Sequence, residues 1–194
     1  MRILRAADYK VMPWKNGGGT TTEIAVSPDG AGLDAFDWRI SMARVETSGP
    51  FSSFAGIDRT LSVLEGEGIV LDIAGRSPSR LTASSAPLSF PGDVPTGATL
   101  IGGPITDLNV MTRRGRMSHA VERLSVSGEF EIEADGETTL VLAVGGITVV
   151  TGGISSLGPL DTVILDRKSP NLRLRSEGQG LLFVIRLNNS AANH

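Results

Sequence analysis

The side chains able to do chemistry in this sequence gather in four short segments. The first is Pro13-Trp14-Lys15-Asn16-Gly17-Gly18-Gly19-Thr20-Thr21-Thr22-Glu23. Consecutive glycines permit positive φ and expose successive N–H groups, a nest that favours anions, and Lys15 adds a formal charge. The phosphate-loop spacing is absent, because Lys15 precedes the glycines. The same residues also read as a plain turn entering a strand over 21–26. In the second segment, Arg39 and Ser41 alternate with Trp38, Ile40 and Met42, so one strand face is polar and the other apolar. If the apolar face packs outward under a second layer, Arg39 and Ser41 line a polar cavity; if it points inward, they are solvated. An arginine turned into a cavity needs an anionic partner, from the protein or from a ligand. The third segment is Gly49-Pro50-Phe51-Ser52-Ser53-Phe54-Ala55-Gly56-Ile57-Asp58-Arg59. Phe51 and Phe54 must bury, either as a pocket wall or as the plug of a barrel end. Arg59 then pairs locally with Asp58 or Glu65, or meets a carboxylate ligand. In the fourth, Asp107, Asn109 and Met111 share one strand face. Turned inward, Asp107 and Asn109 place an acceptor and an amide beside Arg39, or form a buried pair that only holds the barrel.

Other chemistries are excluded by composition. Cys is 0 and His is 2, so thiolate sites, disulfides and a three-histidine metal centre cannot be built from one chain. His119 and the terminal His194 form no ligand-spaced pair, and there is no G-x-S-x-G elbow. Glu23 and Asp107 are the acid–base candidates, but the motifs supply no catalytic mechanism and no catalytic residue is assigned. Neither a metal nor an organic cofactor is expected. A net charge of -3 argues against nucleic acid as a partner. No apolar run approaches the roughly 18 residues of a membrane span, and no export signal opens the chain, so a cytoplasmic location is expected.

The elements that must position these residues read as strands. Gly 24 and Pro 10 in 194 residues punctuate the chain too often for long helices. Period-two or short apolar runs lie at 36–42, 61–64, 69–73, 98–101 and 108–111. Further runs lie at 130–132, 138–144, 147–150, 162–165, 172–174 and 181–187. Asp135-Gly136 between two such runs predicts a hairpin. Each half also carries a glycine-broken hairpin, at Gly66-Glu67-Gly68 and at Gly145-Gly146, ahead of a turn holding Gly, Pro and Asp. The fold class is therefore all-β, read as two similar barrels in tandem over 1–116 and 117–194 that meet near 114–119.

Together these segments resemble the HutD/Ves family of the cupin superfamily. The match rests on Trp14-Lys15-Asn16-Gly17-Gly18-Gly19-Thr20 with Glu23, Trp38-Arg39-Ile40-Ser41, and Gly49-Pro50-Phe51-Ser52-Ser53-Phe54 with Gly56 and Arg59. Phe90-Pro91-Gly92-Asp93 and Asp107-Leu108-Asn109-Val110-Met111 with Arg113 complete it; the match covers Met1 to about Arg116, and one departure is Ala55, where the family pattern has Pro. The resemblance implies a bicupin linked to histidine utilisation, with a regulatory role exercised through a pathway acid such as urocanate, formylglutamate or formiminoglutamate. It maps the pocket onto Lys15, Asn16, Glu23, Arg39, Ser41, Phe51, Phe54, Arg59, Asp107 and Asn109, all in the first barrel. Many cupins hold a metal through histidines, and the segment 65–71 has none.

Three readings stay open at this level. The leading one is a non-catalytic binding module for a small carboxylate. The alternatives are a metal-independent enzyme acting on a related acid, and a structural or interaction bicupin. By resemblance, a homodimer is an expected assembly.

Overall fold

Alternating apolar and polar residues, broken every few positions by glycine or proline, fold into strands throughout. The computed structural model describes residues 1–14, 17–153 and 155–190. Lys15 and Asn16, two of the candidate ligand residues, lie outside the described residues, as does His194. In chain order the strands begin Arg2–Leu4 (β1), Lys10–Pro13 (β2), Gly19–Ser27 (β3), Trp38–Val45 (β4), Gly49–Pro50 (β5) and Ile57–Glu65 (β6). Next come Ile69–Ile73 (β7), Ser79–Leu81 (β8), Leu88–Pro91 (β9), Thr96–Leu100 (β10) and Ile105–Arg113 (β11). Met117–Ile132 (β12), Thr138–Gly145 (β13), Ile147–Val149 (β14), Ser155–Leu157 (β15), Thr162–Asp166 (β16) and Leu172–Asn189 (β17) complete the set. Two compact units divide the chain: Lys10–Ser118, and Met1–Tyr9 with His119–His194.

In the unit Lys10–Ser118, a sheet ordered β2-β3-β4-β11-β6-β9 faces a smaller one ordered β5-β10-β7-β8. The core between them takes Ala43, Val45, Leu61, Val63, Phe90 and Ile105 from the larger sheet, and Ile69, Leu71, Ile73, Leu81 and Ala98 from the smaller. Residues directly opposite in antiparallel strands project to the same face. Register therefore fixes what else points into this interior. Along β4, Val45, Ala43, Ser41 and Arg39 stand opposite Ile105, Asp107, Asn109 and Met111 of β11. On the far side of β11, Asp107, Asn109 and Met111 stand opposite Val63, Leu61 and Arg59 of β6. A polar strip thus runs through an apolar barrel. Ile40, Met42, Leu108 and Val110, on the opposite face of the same sheet, are buried too. This resolves the alternative for the second segment: Arg39 and Ser41 face the interior rather than solvent. Phe36 breaks the expected alternation, because it precedes β4 and packs with Val26, Ile57 and Met111.

The other unit is one sheet along the path β1-β16-β13-β17-β14-β15, with β12 also pairing β17. β17 serves two partners in succession: Leu174 and Arg175 pair with β14, and Leu181 to Leu187 pair with β13. Its core is aliphatic, built from residues such as Val141, Val149, Val163, Leu174, Leu182 and Val184.

Three expected hairpins do not form. Asp135-Gly136 links β12 and β13, but neither strand pairs with the other, and both use β17 instead. Gly136 is not in the positive-φ region that the tight two-residue turn requires, and Asp135 Oδ1 accepts Arg186 Nε–H at 2.6 Å on β17. The glycine breaks at Gly66–Gly68 and Gly145-Gly146 likewise do not close hairpins. β6 and β7 belong to different sheets, and β13 and β14 are separated by β17. Gly68, at φ +126, passes so near the next strand that a Cβ there would lie 2.3 Å from the Leu81 carbonyl oxygen.

Asp161 fastens the chain's first residues into their unit. Its carboxylate accepts the Ala6 N–H at 2.7 Å, Arg5 Nη1 at 2.7 Å and the Gly158 N–H at 2.9 Å. Replacing it leaves the Ala6 and Gly158 N–H groups without this acceptor, while Arg5 keeps its bonds to the Ser156 carbonyl and Ser155 Oγ. Asp161→Ala is expected to lower the unfolding free energy by about 1–3 kcal/mol in urea denaturation. An unchanged midpoint would show that the bonds of Asp161 add nothing to stability.

Candidate functional site

Arg59 is the centre of the polar strip. It is 5% exposed, and among the described residues its guanidinium has no carboxylate at hydrogen-bonding distance. Nε and Nη2 both donate to Asn109 Oδ1, at 3.2 and 2.9 Å, and Nη1 donates to the Ser52 carbonyl at 3.2 Å. Asn109 in turn donates Nδ2–H to Asp107 Oδ1 at 3.2 Å. The amide thus has one assignable orientation, oxygen toward the guanidinium and nitrogen toward the carboxyl. A carboxylate at position 109 would have neutralised Arg59; the neutral amide spaces Arg59 away from Asp107. Asp107 has no exposed surface, and among the described residues its Oδ2 has no hydrogen-bond partner.

Three aromatic rings surround the guanidinium. Arg59 Cζ lies 5.1 Å from the centroid of Phe51, 5.5 Å from Phe54 and 5.4 Å from Phe90. Their negative faces attract the cation by about 0.5–2 kcal/mol each, more as water is excluded. Loop 51–56 is held over Arg59 by backbone bonds: Phe51 N–H to the Thr96 carbonyl at 2.9 Å and Phe54 N–H to the Gly92 carbonyl at 2.8 Å. Gly92 is a glycine for a spatial reason. A Cβ there would stand 3.0 Å from Arg59 Cδ and 3.0 Å from the Ile57 carbonyl oxygen, where the arginine stem runs.

Arg39 occupies the same interior face two strands away, with Met111 directly opposite both arginines. It is charge-matched: Nε–H donates to Glu23 Oε2 at 2.8 Å, with side chains 7% and 19% exposed. Ser41 stands between Glu23 and Asn109 in register. Near the strip, Trp14 Nε1–H donates to Thr21 Oγ1 at 2.7 Å.

Burial dominates the electrostatics. It pulls the Arg59 guanidinium down to about 10, with the negative charge of Asp107 offsetting part of the drop. It pushes the Asp107 carboxyl up to about 7, against the opposing pull of Arg59, the Asn109 amide and the Ala43 N–H. Both shifts arise because a low-dielectric interior disfavours isolated charge.

Six of the sequence candidates therefore converge on one interior face: Glu23, Arg39, Ser41, Arg59, Asp107 and Asn109. Phe51 and Phe54 cover Arg59. The pairing differs from expectation in two respects. Asp107 and Asn109 serve Arg59 rather than Arg39, because Arg39 already has Glu23. Arg59 pairs with neither Asp58 nor Glu65: Asp58 projects from the opposite face, and a bulge sets Glu65 opposite Thr106 instead of an inward residue. Asp58 instead meets Arg114, as does Asp93, and Glu65 Oε2 accepts the Thr106 hydroxyl at 3.2 Å. At the glycine triplet, the described N–H of Gly17 is committed to the Trp14 carbonyl at 3.1 Å. A Cβ at Gly19 would lie 2.1 Å from the Arg44 carbonyl oxygen, so close strand contact alone requires that glycine. Sequence reasoning missed Phe90 and Gly92 as site residues. Their role comes from the pairing of β6 with β9, which sets Phe90 opposite Arg59, and no residue in either strand advertises that pairing. Among the described residues, no group of three or more His, Asp or Glu side chains is arranged to hold a metal ion.

The raised Asp107 carboxyl has a measurable consequence. Between the ordinary Asp value near 4 and about 7, the folded chain keeps this proton while the unfolded chain has released it. Stability contributed through Asp107 accordingly falls as pH rises across that window and is level above it. Asp107→Asn should remove this slope from unfolding free energies measured between pH 4.5 and 7.5, and an identical slope in the variant would refute the assignment.

Comparison with known proteins gives the lineage. The family model HutD matches residues 6–184. An uncharacterized 21.2 kDa protein in the hutC 3′ region of Pseudomonas putida is 35% identical over 188 residues, covering 95% of this chain and 97% of the relative. A conserved protein of unknown function from Pseudomonas aeruginosa PAO1 superposes with a TM-score of 0.87 at 36% identity, covering 96% of this chain and 98% of that one. HutD from Pseudomonas fluorescens SBW25, in a formate condition, gives a TM-score of 0.80 at 35% identity, covering 97% and 98% of the two chains. At the level of fold alone, a cupin 2 conserved barrel domain protein from Leptotrichia buccalis aligns with a TM-score of 0.58 at 10% identity. With this cupin-type all-β fold and a family match running nearly end to end, the chain belongs to the HutD family.

Proposed function

We propose that this protein binds a small carboxylate without a metal, and that Arg59 is the group that receives it. One observation carries the reading: a buried guanidinium is held open by neutral acceptors. Among the described residues, Asn109 and Ser52 accept from three of its five N–H groups, which leaves one on Nη1 and one on Nη2. Two N–H groups on the terminal nitrogens suit the paired oxygens of a carboxylate. Phe51, Phe54 and Phe90 exclude water around that contact, which strengthens it. Arg39 and Ser41 stand on the same interior face; Lys15 and Asn16, expected from the sequence to join them, lie outside the described residues.

The biological role proposed is regulatory, through an acid of histidine breakdown such as urocanate, formylglutamate or formiminoglutamate. The relative in the hutC 3′ region supports that context. Two tandem cupin barrels, a cytoplasmic location and a homodimer belong to the same proposal. No helix among the described residues is long and apolar enough to cross a membrane. Asp107 meets one requirement of the alternative enzyme reading, a carboxyl raised toward neutrality. It stands behind Asn109, however, and its burial favours an electrostatic role over proton exchange with a substrate.

Isothermal titration with urocanate, formylglutamate and formiminoglutamate tests this reading. At least one acid should bind the wild type. Arg59→Ala should weaken that binding by about 2–5 kcal/mol, the usual effect of deleting one partner of a buried charged pair. Arg39→Ala should cost less, because Glu23 already occupies that side chain. No heat or thermal shift with any of the three acids overturns the proposal.

A further inference from the structure

Resting on that reading, we infer that Asp107 and the ligand carboxylate are alternative counter-charges for Arg59, so that anion binding draws a proton onto Asp107. Charges buried in a low-dielectric interior must balance. Arg39 and Glu23 cancel by direct contact. That leaves Arg59 with Asp107, joined through the Asn109 amide and not touching. With no ligand, an ionised Asp107 balances Arg59. When a carboxylate docks on the free N–H groups of Arg59, two negative charges face one positive charge in an interior that disfavours either. Neutrality returns when Asp107 accepts a proton from solvent.

The geometry provides a place for that proton. Asp107 Oδ1 accepts from Asn109, whereas Oδ2 is buried without a partner among the described residues. An unpartnered oxygen is less costly as a neutral hydroxyl than as half of a carboxylate. Protonation at Oδ2 leaves the Asn109 bond intact, so Arg59 keeps its orientation in both states.

Directly opposite Asp107 stand Ala43 of β4 and Val63 of β6, neither of which titrates. The charged groups sharing its interior face are Arg59 on β6, Arg39 on β4 and Glu23 on β3. From the smaller sheet come Ile69, Leu71, Ile73 and Ala98, none of which titrates. The elevated Asp107 carboxyl described above is consistent with exchange near neutrality, but the coupling follows from charge count and placement.

N-formylglutamate and formate are suitable probes, since neither changes charge between pH 6 and 8.5. Calorimetric titration of the wild type should show affinity falling more than about tenfold across that range, as the protonated fraction of Asp107 declines. Repeating the titration near pH 8 in two buffers of unlike ionisation enthalpy should show net proton uptake. Asp107→Asn retains the acceptor for Asn109 and cannot ionise, so it should bind with affinity independent of pH. Should that variant not fold, proton uptake by the wild type decides the question. Binding that is flat with pH and releases or takes up no proton, or a slope that persists in Asp107→Asn, overturns the coupling and leaves the carboxylate site standing. Failure of both acids to bind the wild type at pH 6 overturns the site and the coupling together.

Discussion

A guanidinium placed inside a β-barrel must be compensated, and in this protein the compensation is incomplete by construction. Arg59 is covered by three phenyl rings and bonded to an amide oxygen and a peptide carbonyl, all neutral. Deleting a partner from a buried ion pair costs several kcal/mol. A sequence that instead sets Asn109 between Arg59 and Asp107 accepts a weaker internal match, the condition on which the proposed carboxylate site depends. The surroundings follow from that arrangement. Gly92 makes room for the arginine stem, Phe54 hangs from the Gly92 carbonyl, and Ser52 lends its own carbonyl to Nη1.

The contrast with Arg39 shows what a closed arrangement looks like on the same sheet. Arg39 meets Glu23 across adjacent strands at 2.8 Å. Both arginines stand opposite Met111, share one interior face and have similar burial. One is matched by a carboxylate in contact, the other only at a remove. A difference in function between them therefore rests on the partner each strand register delivers. A fold shared with distant cupin-type proteins supplies the barrel, and the chemistry lies in a few inward positions.

Much of this was legible in the sequence, and the limit has a physical cause. Period-two alternation correctly grouped Arg39 with Ser41 and Asp107 with Asn109, because backbone pleating sets the facing of residues two apart. The absence of cysteine and of clustered histidine excluded familiar metal sites on composition alone. What alternation cannot give is which strand lies beside which. Arg59 and Asn109 are 50 residues apart and meet because β6 pairs with β11. Without that pairing, Asp107 looked like a partner for Arg39, and Phe90 did not look like part of the site. The same blindness explains Asp135-Gly136, where a local turn signal was overridden by β17, a strand long enough to recruit both flanking strands. Glycine was similarly ambiguous: Gly19 and Gly92 are both required by close contacts, but only Gly92 touches Arg59.

The central claim is that Arg59 holds two N–H groups open for a carboxylate inside the barrel. A crystal structure of the protein grown at pH 6 with N-formylglutamate tests it most directly. The account predicts a carboxylate with its oxygens about 2.7–2.9 Å from Arg59 Nη1 and Nη2, bounded by Phe51, Phe54 and Phe90. The Asn109 amide should still bridge Arg59 and Asp107. A barrel in which those N–H groups are satisfied by the protein's own side chains, with the acid absent or bound elsewhere, would contradict it.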